Sequence, residues 1–260
     1  MSKTNSNTIG IDIGGSKIRG VIWNGKKALA AYEMPTPKNK KRFIAVVKKI
    51  SEKLIKKSNT LAIGIGIAGV VRGTKVLHAT NISYLKNFDF KSFLKTPTHF
   101  SDVTSESRSE PRHNVGVDND ARCFARAEYE LGAGKSAKRL LAVTIGTGVG
   151  RAFVKGGVVQ RIKRFEREEL WEKEYQKLRD AHDTTLPQFV AKNLMHIIRQ
   201  YHPSVVVVGG SMQAKKGFFV ALKKALVTLS KLQHLTVGVR RTKFGKNAGA
   251  IGAALLRNNT

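Results

Sequence analysis

The chain has 260 residues, 41% of them hydrophobic, which is enough to build the core of one large domain or of two modest ones. It carries 47 Lys and Arg against 18 Asp and Glu, and the formal charge of +29 attracts polyanions such as nucleic acid, anionic membrane, polyphosphate or nucleotide. The single cysteine, Cys123, excludes an internal disulfide and a cysteine-rich zinc site, and no apolar run reaches the ~18–20 residues of a membrane span.

The basic residues are spread along the chain rather than gathered in one tail. Because a dispersed excess is typical of a solvated surface, nucleic-acid binding is the minority interpretation. Residues 1–8 are polar and lack the apolar stretch of a signal peptide. With one cysteine and no signal peptide, we expect a cytoplasmic protein with no membrane partner.

The first predicted element is a β-hairpin at residues 8–20, which read T-I-G-I-D-I-G-G-S-K-I-R-G. Isoleucines alternate with Gly10 and Asp12 as on a strand, and Asp12 falls near the strand's end. Glycine lets the backbone approach a phosphate closely, so the N–H groups of residues 15–17 could cradle one, and Lys17 adds charge. An ordinary Gly-Gly hairpin turn fits the same letters. Because a strand follows, the segment is neither a P-loop nor a Rossmann fingerprint.

The next predicted elements are an amphipathic helix at 40–57, a buried strand at 61–67, a loop and hairpin at 68–73, a short strand at 76–78 and a short helix at 90–94. Residues 101–112 are polar and fit a surface loop. Asn81 lies in the loop after the short strand. Its amide can donate to and accept from a polyol, but an isolated loop asparagine is more often a turn former.

The most informative stretch is V-G-V-D-N-D-A at residues 115–121, where an apolar strand ends and a helical pattern begins at once. Asp118, Asn119 and Asp120 follow the strand directly. Open α/β sheets bind ligands at the carboxyl ends of their strands, so we expect these side chains to face a crevice. Asp120 is the candidate base that activates a substrate hydroxyl. Capping of the helix predicted at 121–131 is the competing interpretation.

A second strand, glycine turn and strand follows at residues 140–154, with the turn G-T-G-V-G at 146–150. It repeats the first hairpin weakly, and two such turns facing each other would grip a phosphate chain from both sides. The remaining predicted elements are a strand at 158–159, a helix at 168–179, a helix at 186–201, a strand at 205–208 followed by Gly209, Gly210 and Ser211, a helix at 218–229, a strand at 235–240 and a small-residue helix at 247–257.

Each of these motifs alone is weak, but their order resembles that of the sugar kinases of the ROK family, which share the actin-like, ribonuclease-H-like ATPase fold. The resemblance covers nearly all of the chain except residues 95–114 and 160–185. The matching segments are I-D-I-G-G-S-K at 11–17, G-I-A-G-V-V at 66–71, T-N at 80–81, D-N-D-A at 118–121, G-A-G-K at 132–135, T-I-G-T-G-V-G at 144–150, V-V-V-V-G-G at 205–210 and A-G-A-I-G-A-A at 248–254.

The resemblance implies an α/β fold of two actin-like (ribonuclease H-like) domains with a cleft between them. We place the N-terminal domain at residues 1–117 and the C-terminal domain at 118–260, and we expect the helix at 247–257 to pack back on the N-terminal domain. It also implies a glucokinase-type phosphotransferase that uses ATP and Mg²⁺. Because the chain has a single cysteine, we expect no zinc site. A homodimer is compatible with the family.

Carried over position by position, the resemblance assigns roles to individual residues. Asp120 would accept the proton of the attacking sugar hydroxyl, and Asp12 would lie near Mg²⁺. The residues implied for sugar binding are Gly69, Asn81, Asn119, Asp120 and Glu166. The residues implied for binding the phosphoryl donor are Asp12, Gly14, Gly15, Ser16, Lys17, Thr144, Gly146, Thr147, Gly148, Gly209 and Gly210.

The chain departs from the family pattern in three ways. Most ROK kinases carry Glu-x-Gly-His after the second phosphate turn and then a cysteine-rich zinc site, and this chain has neither; Glu166 lies nearest to the missing glutamate. Arg151 stands where many members have a further glycine. The short zinc-less form is similar to polyphosphate glucokinases, so polyphosphate is the alternative donor. The departures also fit a non-catalytic protein, either a sugar-sensing or nucleic-acid-binding one or an actin-like pseudokinase.

Overall fold

The computed structural model describes residues 7–60, 62–95, 114–162 and 166–256, with side chains at all of them except 95, 161 and 166–170. The chain divides into two compact units. One is formed by Met1–Cys123 with Gly249–Thr260, and the other by Phe124–Ala248. Within the described ranges, none of the helices combines the length and the apolar character needed to cross a membrane.

The described elements are, in chain order, β1 (Thr8–Ile13), β2 (Lys17–Trp23), β3 (Ala28–Pro35), α1 (Lys40–Ser58), β4 (Ala62–Ile67), β5 (Gly69–Arg72), β6 (Lys75–Ala79), β7 (Ile82–Asp89), α2 (Phe90–Lys95), β8 (Asn114–Asn119), α3 (Asp120–Glu130), β9 (Arg139–Ile145), β10 (Val149–Lys155), β11 (Val158–Arg161), α4 (Glu166–Asp180), α5 (Leu186–Tyr201), β12 (Val205–Gly209), α6 (Phe218–Leu232), β13 (Gly238–Arg241) and α7 (Ala248–Ala254). Short 3₁₀ turns occupy Ser211–Ala214 and Gly245–Asn247.

The first unit is built on a five-stranded sheet in the order β3-β2-β1-β4-β8. The strands β1, β4 and β8 run parallel. The strand β2 pairs antiparallel with β1, and β3 pairs antiparallel with β2. The strands β5, β6 and β7, which come between β4 and β8 in the chain, form a separate three-stranded sheet in the order β5-β6-β7. The first unit extends to Cys123 and so includes all of β8, which pairs with β4 along its whole length. Residues from Gly249 onward count with the first unit.

The helix α7 packs directly on the backbone of the first unit's sheet, because glycines stand where the two meet. A Cβ built on Gly10 would come 1.8 Å from Ala250 O. One built on Gly64 would come 1.7 Å from Ala253 O. The small residues on both sides therefore let backbone lie against backbone, as the A-G-A-I-G-A-A segment predicts.

Gly64→Ala is expected to lower the free energy of unfolding by about 3 kcal/mol or more, because the new methyl group overlaps backbone that no side-chain rotation can move aside. Urea denaturation measures this loss. Gly238→Ala is the control, since a Cβ there would come no closer than 3.5 Å to its neighbours, and a change within about 0.5 kcal/mol is expected. Equal destabilisation by the two substitutions would contradict this packing of α7.

The second unit repeats the strand pattern of the first. Its sheet has the order β11-β10-β9-β12-β13, with β9, β12 and β13 parallel and β10 and β11 antiparallel. The helices α4, α5 and α6 contribute to its core together with β9 and β12. In both units a hairpin is added to the first of three parallel strands. Each unit therefore carries a glycine turn at the carboxyl end of its first strand.

Most predicted elements are confirmed, and the misses have local causes. The predicted helices at 40–57, 186–201 and 90–94 correspond to α1, α5 and α2 within one residue at each end. The strands β3 and β7 were not predicted; β3 is an edge strand that alternates only between partly buried and exposed positions, so its apolar period is weak. The predicted strand at 235–240 begins only at Gly238. The predicted surface loop at 101–112 lies outside the described residues.

Candidate active site

The three parallel strands of the first unit end at one edge of its sheet, and this edge brings the predicted polar residues together. In the register of β1, β4 and β8, Asp12 lies level with Gly66, and Gly66 lies level with Asp118. Asn119 ends β8, and Asp120 begins α3. A Cβ on Gly66 would come 3.7 Å from Asp120 Cα, so this glycine lets β4 pass close to the start of α3.

Asp12 and Asp120 are partly buried carboxyl groups, and the charge of Asp120 acts on Asp12. Burial, and then the neighbouring charge of Asp120, raises the pKa of Asp12 to about 7, against the opposing charge of Arg19. Burial also raises the pKa of Asp120, although the N–H of Ala121 donates to its carboxylate. Two neighbouring carboxyls in such a site can act as a proton acceptor and as a ligand for a cation.

The D-N-D segment is fixed by its own hydrogen bonds. Arg122 Nε donates to Asp118 Oδ1 at 2.6 Å, one turn along α3. Asn119 Oδ1 accepts from the N–H of Ala121 at 3.0 Å and from that of Arg122 at 3.4 Å, which is the pattern of a helix cap. Asp120 Oδ1 also accepts from Ala121 N–H, at 2.9 Å. The start of α3 is therefore capped mostly by Asn119, and not by Asp120 as the competing interpretation holds.

The other residues implied for sugar binding in the first unit lie at the same edge or next to the first glycine turn. Asn119 Nδ2 donates to Gly69 O at 3.3 Å, which joins these two residues at the end of β8. Asn81 lies in the turn between β6 and β7. A Cβ on Gly15 would come 2.7 Å from Asn81 Cβ, so the asparagine packs against the glycine turn.

Two carbonyl groups of the turn between β1 and β2 accept hydrogen bonds from Thr36, which lies outside the turn. The N–H of Gly14 donates to Lys17 O at 2.9 Å and closes the turn. The hydroxyl of Thr36 donates to Gly14 O at 2.7 Å, and its N–H donates to Ser16 O at 2.9 Å. In a trans peptide the C=O and the following N–H point in opposite directions, so the N–H groups of Gly15 and Lys17 face away from Thr36. Outward N–H groups of this kind suit an anion.

Arg19 is a residue of this region that sequence reasoning missed. It lies opposite Asp12 in the β1–β2 register and is buried, with 7% of its surface exposed. Its Nη2 contacts Glu33 Oε2 on β3, and Lys17 Nζ donates to Glu33 Oε1 at 2.8 Å. Burial raises the pKa of Asp12, and the charge of Arg19 opposes that rise. The available signal was an arginine flanked by apolar and glycine positions, facing the same side of the hairpin as Asp12.

The second glycine turn joins β9 to β10 and lies beside the turn that follows β12. The N–H of Gly146 donates to Gly148 O at 2.9 Å and closes the turn. Thr144 is level with Gly209 in the β9–β12 register. A Cβ on Gly146 would come 3.2 Å from Ser211 Oγ. The second unit thus has its own pair of adjacent turns at one edge of its sheet.

Two further residues complete that edge. Gly210 has φ 88°, and a Cβ there would come 2.3 Å from Ile145 O, so the position requires glycine. Thr147 is the exposed residue of the second glycine turn, and a Cβ on Gly148 would meet nothing within 4 Å. The donor residues implied for the second unit therefore lie together within it.

The two positions where the chain departs from the family pattern both concern α4. Arg151, on β10, pairs with Glu172 of α4 at 2.5 Å and lies over the Trp171 ring with its guanidinium carbon 5.2 Å from the centroid. The backbone of Glu166 begins α4, and its side chain lies outside the described residues.

The residues present fit both Mg²⁺ and a phosphate chain. Within the described part of the chain, no cluster of three or more His, Cys, Asp or Glu residues could hold a metal ion by itself. Mg²⁺ is usually bound by one or two carboxylates together with phosphate oxygens, so such a cluster is not required. The repulsion between Asp12 and Asp120 is what a cation would relieve. The outward N–H groups of the first turn and the open space at Gly148 suit phosphate.

Comparison with known proteins gives close matches at the level of the family. The model of the ROK family matches residues 8–164 and 163–260. A glucokinase of Streptomyces coelicolor is 28% identical over 155 residues, which are 59% of this chain and 45% of that protein. A polyphosphate glucokinase of Mycobacterium tuberculosis is 27% identical over 266 residues, covering 97% of this chain and 91% of that protein.

The fold is similar to that of a solved ROK family glucokinase from Streptomyces griseus in complex with glucose and AMPPNP. The TM-score is 0.77 at 20% sequence identity, covering 97% of this chain and 100% of that chain. The predicted α/β class with two actin-like domains is therefore confirmed. The chain spans less than half of the length of the Streptomyces coelicolor glucokinase. Because the family model matches nearly every residue from 8 to 260, the chain belongs to the ROK family.

Proposed function

We propose that the chain is a sugar kinase that transfers a phosphoryl group from ATP to a hydroxyl of a hexose. The observation that carries the proposal is the pair of neighbouring carboxyls, Asp12 and Asp120, at the edge where β1 and β8 end. Phosphoryl transfer of this kind needs a base for the attacking hydroxyl and a ligand for the cation that accompanies the phosphates. The relatives named glucokinase and polyphosphate glucokinase support a sugar as the acceptor.

On the acceptor side, Asp120 is the proposed base. Burial raises its pKa, so its carboxylate is a stronger proton acceptor than that of an exposed aspartate. The proton passes from the sugar hydroxyl to a carboxylate oxygen of Asp120 as the hydroxyl oxygen attacks the terminal phosphorus of the donor. The bond from that phosphorus to the bridging oxygen breaks, and ADP, or polyphosphate shortened by one phosphate, leaves. The amide of Asn81 orients the sugar together with the second N–H of the Asn119 amide, whose other groups bond Gly69 O and the start of α3. One sugar hydroxyl then faces the base.

On the donor side, the protein supplies position and charge. Each of the two glycine turns offers N–H groups to a phosphate, and the turn at Gly209 and Gly210 would line a nucleoside pocket in the second unit. Mg²⁺, when bound, neutralises charge on the phosphates, and Asp12 is the side chain that would hold it. Arg19, which opposes the effect of burial on Asp12, helps to keep that carboxyl ionised.

Polyphosphate is the second candidate donor. The Mycobacterium tuberculosis polyphosphate glucokinase matches 97% of this chain, whereas the Streptomyces coelicolor glucokinase matches 59%. A formal charge of +29 also favours a long polyanion. The glycine turns bind phosphate groups and so serve either donor, whereas the turn at Gly209 and Gly210 has a role only with a nucleotide.

The proposal is tested by mass spectrometry of the reaction products. Purified protein with Mg²⁺ is incubated with glucose, mannose, fructose or an N-acetylhexosamine, each with ATP and with polyphosphate. A sugar that gains one phosphate is expected in at least one pair, and the pair with the highest turnover identifies acceptor and donor. If the folded protein phosphorylates none of these sugars with either donor, the proposal is wrong.

A cytoplasmic location, argued from the single Cys123, and a homodimer, argued from the family resemblance, belong to the same proposal. Size-exclusion chromatography with light scattering tests the second, with twice the mass of the 28.6 kDa chain as the expected result.

A further inference from the structure

Two side chains of the helix α4 donate hydrogen bonds to carbonyl groups of the second glycine turn. The hydroxyl of Tyr175 donates to Gly146 O at 2.6 Å. Arg179 Nη1 donates to the same carbonyl at 3.3 Å and also to Thr147 O. Because the two side chains are four residues apart, they project from the same face of the helix. One helix therefore holds two successive carbonyls of the turn.

Both donors are themselves held in place. Tyr175 is fully buried, and its ring meets that of Trp171 edge-on with centroids 6.5 Å apart. Arg179 lies over the Tyr175 ring at 5.8 Å and donates to Asp180 through Nε at 2.9 Å and Nη2 at 3.2 Å. Burial raises the pKa of Tyr175 to about 12, so its hydroxyl remains a donor at neutral pH. The turn is thus hydrogen-bonded to side chains that have packing and hydrogen-bond partners of their own.

The helix α4 is also anchored to the sheet that carries the turn. Arg151 of β10 pairs with Glu172 at 2.5 Å and lies over Trp171, one turn before Tyr175. The strand β10 begins directly after the glycine turn. Movement of α4 relative to the turn would therefore break the Arg151 contacts as well as those of Tyr175.

Holding the carbonyls fixes the direction of the N–H groups that follow them. The described residues contain no cis peptide bond, and in a trans peptide the C=O and the next N–H point in opposite directions. With Gly146 O and Thr147 O directed at α4, the N–H groups of Thr147 and Gly148 point away from it. Glycine-rich backbone is otherwise free to rotate, so an untied turn would present carbonyls to an anion part of the time.

We propose that Tyr175 and Arg179 are positioning residues that orient the second glycine turn for the phosphoryl donor. The inference rests on the proposed function, because it takes this turn to be a donor site. The first unit has a comparable arrangement, in which Thr36 holds the carbonyls of Gly14 and Ser16. Both residues lie within 160–185, a stretch in which the sequence analysis found no family motif although the family model matches it.

The test is donor binding by Tyr175→Phe, which removes one hydroxyl and keeps the ring. Calorimetry measures the dissociation constants of a non-hydrolysable ATP analogue, of inorganic tripolyphosphate and of glucose. Loss of this hydrogen bond should weaken the better-bound donor about five- to tenfold and leave glucose binding unchanged. Arg179→Gln is a second variant, at a partly exposed side chain, and it replaces the first if Tyr175→Phe does not fold. It should also weaken donor binding and leave glucose binding unchanged.

Tyr84→Phe is the matched control, because the Tyr84 hydroxyl also donates to a backbone carbonyl, that of Pro37, at 2.5 Å in the first unit. It should bind both donors as the wild type does. If the wild type binds neither donor, the proposed function itself fails and the inference falls with it. If the wild type binds a donor, and Tyr175→Phe and Arg179→Gln bind it as tightly as the wild type does, only the inference is overturned. Parallel weakening of donor and glucose, with a lower melting temperature, would also overturn it by showing a general structural role.

Discussion

Asp120→Asn is expected to lower the turnover number for sugar phosphorylation by about 10²–10⁴-fold while changing the dissociation constant of the sugar little. The amide has nearly the size of the carboxyl and can still bond a sugar hydroxyl, but it cannot take the proton. The effect should therefore appear in kcat rather than in binding. A coupled assay with the best sugar and donor measures kcat, and calorimetry measures sugar binding.

Asp118→Asn is the control for this experiment. Asp118 is a carboxylate two residues earlier in the chain that contacts no substrate in the proposed mechanism. Its Oδ1 accepts from Arg122 Nε, and its charge is the smallest of the influences on the pKa of Asp120. Its variant should keep kcat within a few-fold of the wild type. Wild-type turnover by Asp120→Asn, or equal losses in the two variants, would show that Asp120 is not the base.

Asp12→Asn is expected to stabilise the metal-free protein by about 2–4 kcal/mol at pH 8 and to leave its stability at pH 4 nearly unchanged. Burial and the neighbouring Asp120 raise the pKa of Asp12 to about 7 in the folded protein, from an ordinary value of 3.8. Between these two values the folded state keeps a proton that the unfolded chain has released. The free energy of unfolding therefore falls as the pH rises through this window. The asparagine side chain does not ionise between pH 4 and pH 8, so it adds no such fall to the free energy of unfolding of the variant.

Asp89 gives a control of opposite sign in the same unit. Desolvation raises its pKa, but hydrogen bonds from Thr74, Ser92 and the N–H of Lys91 outweigh that effect, and the net pKa is lowered. Its contribution to stability is present at neutral pH and is lost as the pH falls through the lowered pKa, so Asp89→Asn should destabilise at pH 8. Urea unfolding in EDTA at pH 4, 6 and 8 checks both variants. Destabilisation of Asp12→Asn at pH 8 would contradict the raised pKa.

The framework of the candidate site could be predicted from the sequence because its signals are local. Alternating isoleucines, a glycine pair and Asp12 occur within a few residues, and so do the strand at 115–117 and the D-N-D segment after it. Parallel strands end at one edge of a sheet, so recognising the strands was enough to bring Asp12 and Asp120 together. The turn at Gly146 followed from the same reasoning.

The residues that hold this framework in place could not be predicted, because their partners are distant in the sequence. Tyr175 and Arg179 bond the carbonyl of Gly146, which lies 29 and 33 residues earlier in the chain. Arg19 reaches Glu33 on a strand that was not predicted, since β3 shows little apolar alternation. No spacing rule within one element links such pairs.

Glu128 illustrates the same limit. It is fully buried on α3 and accepts from the N–H of Ala133 at 2.8 Å, from the N–H of Lys243 at 3.2 Å and from the Thr242 hydroxyl, 114 residues away. A Cβ on Gly132 would come 2.3 Å from Glu128 Oε2, which is a physical reason for glycine in the G-A-G-K segment. The sequence presents this residue only as one acid on an amphipathic helix.

A crystal structure of the protein with its best sugar and a non-hydrolysable ATP analogue tests the central claim most directly. We predict that the acceptor hydroxyl lies within about 3 Å of a carboxylate oxygen of Asp120 and that the amide of Asn81 contacts the same sugar. A sugar bound with none of its hydroxyls in hydrogen-bond reach of Asp120 would contradict the assignment of that carboxylate as the base.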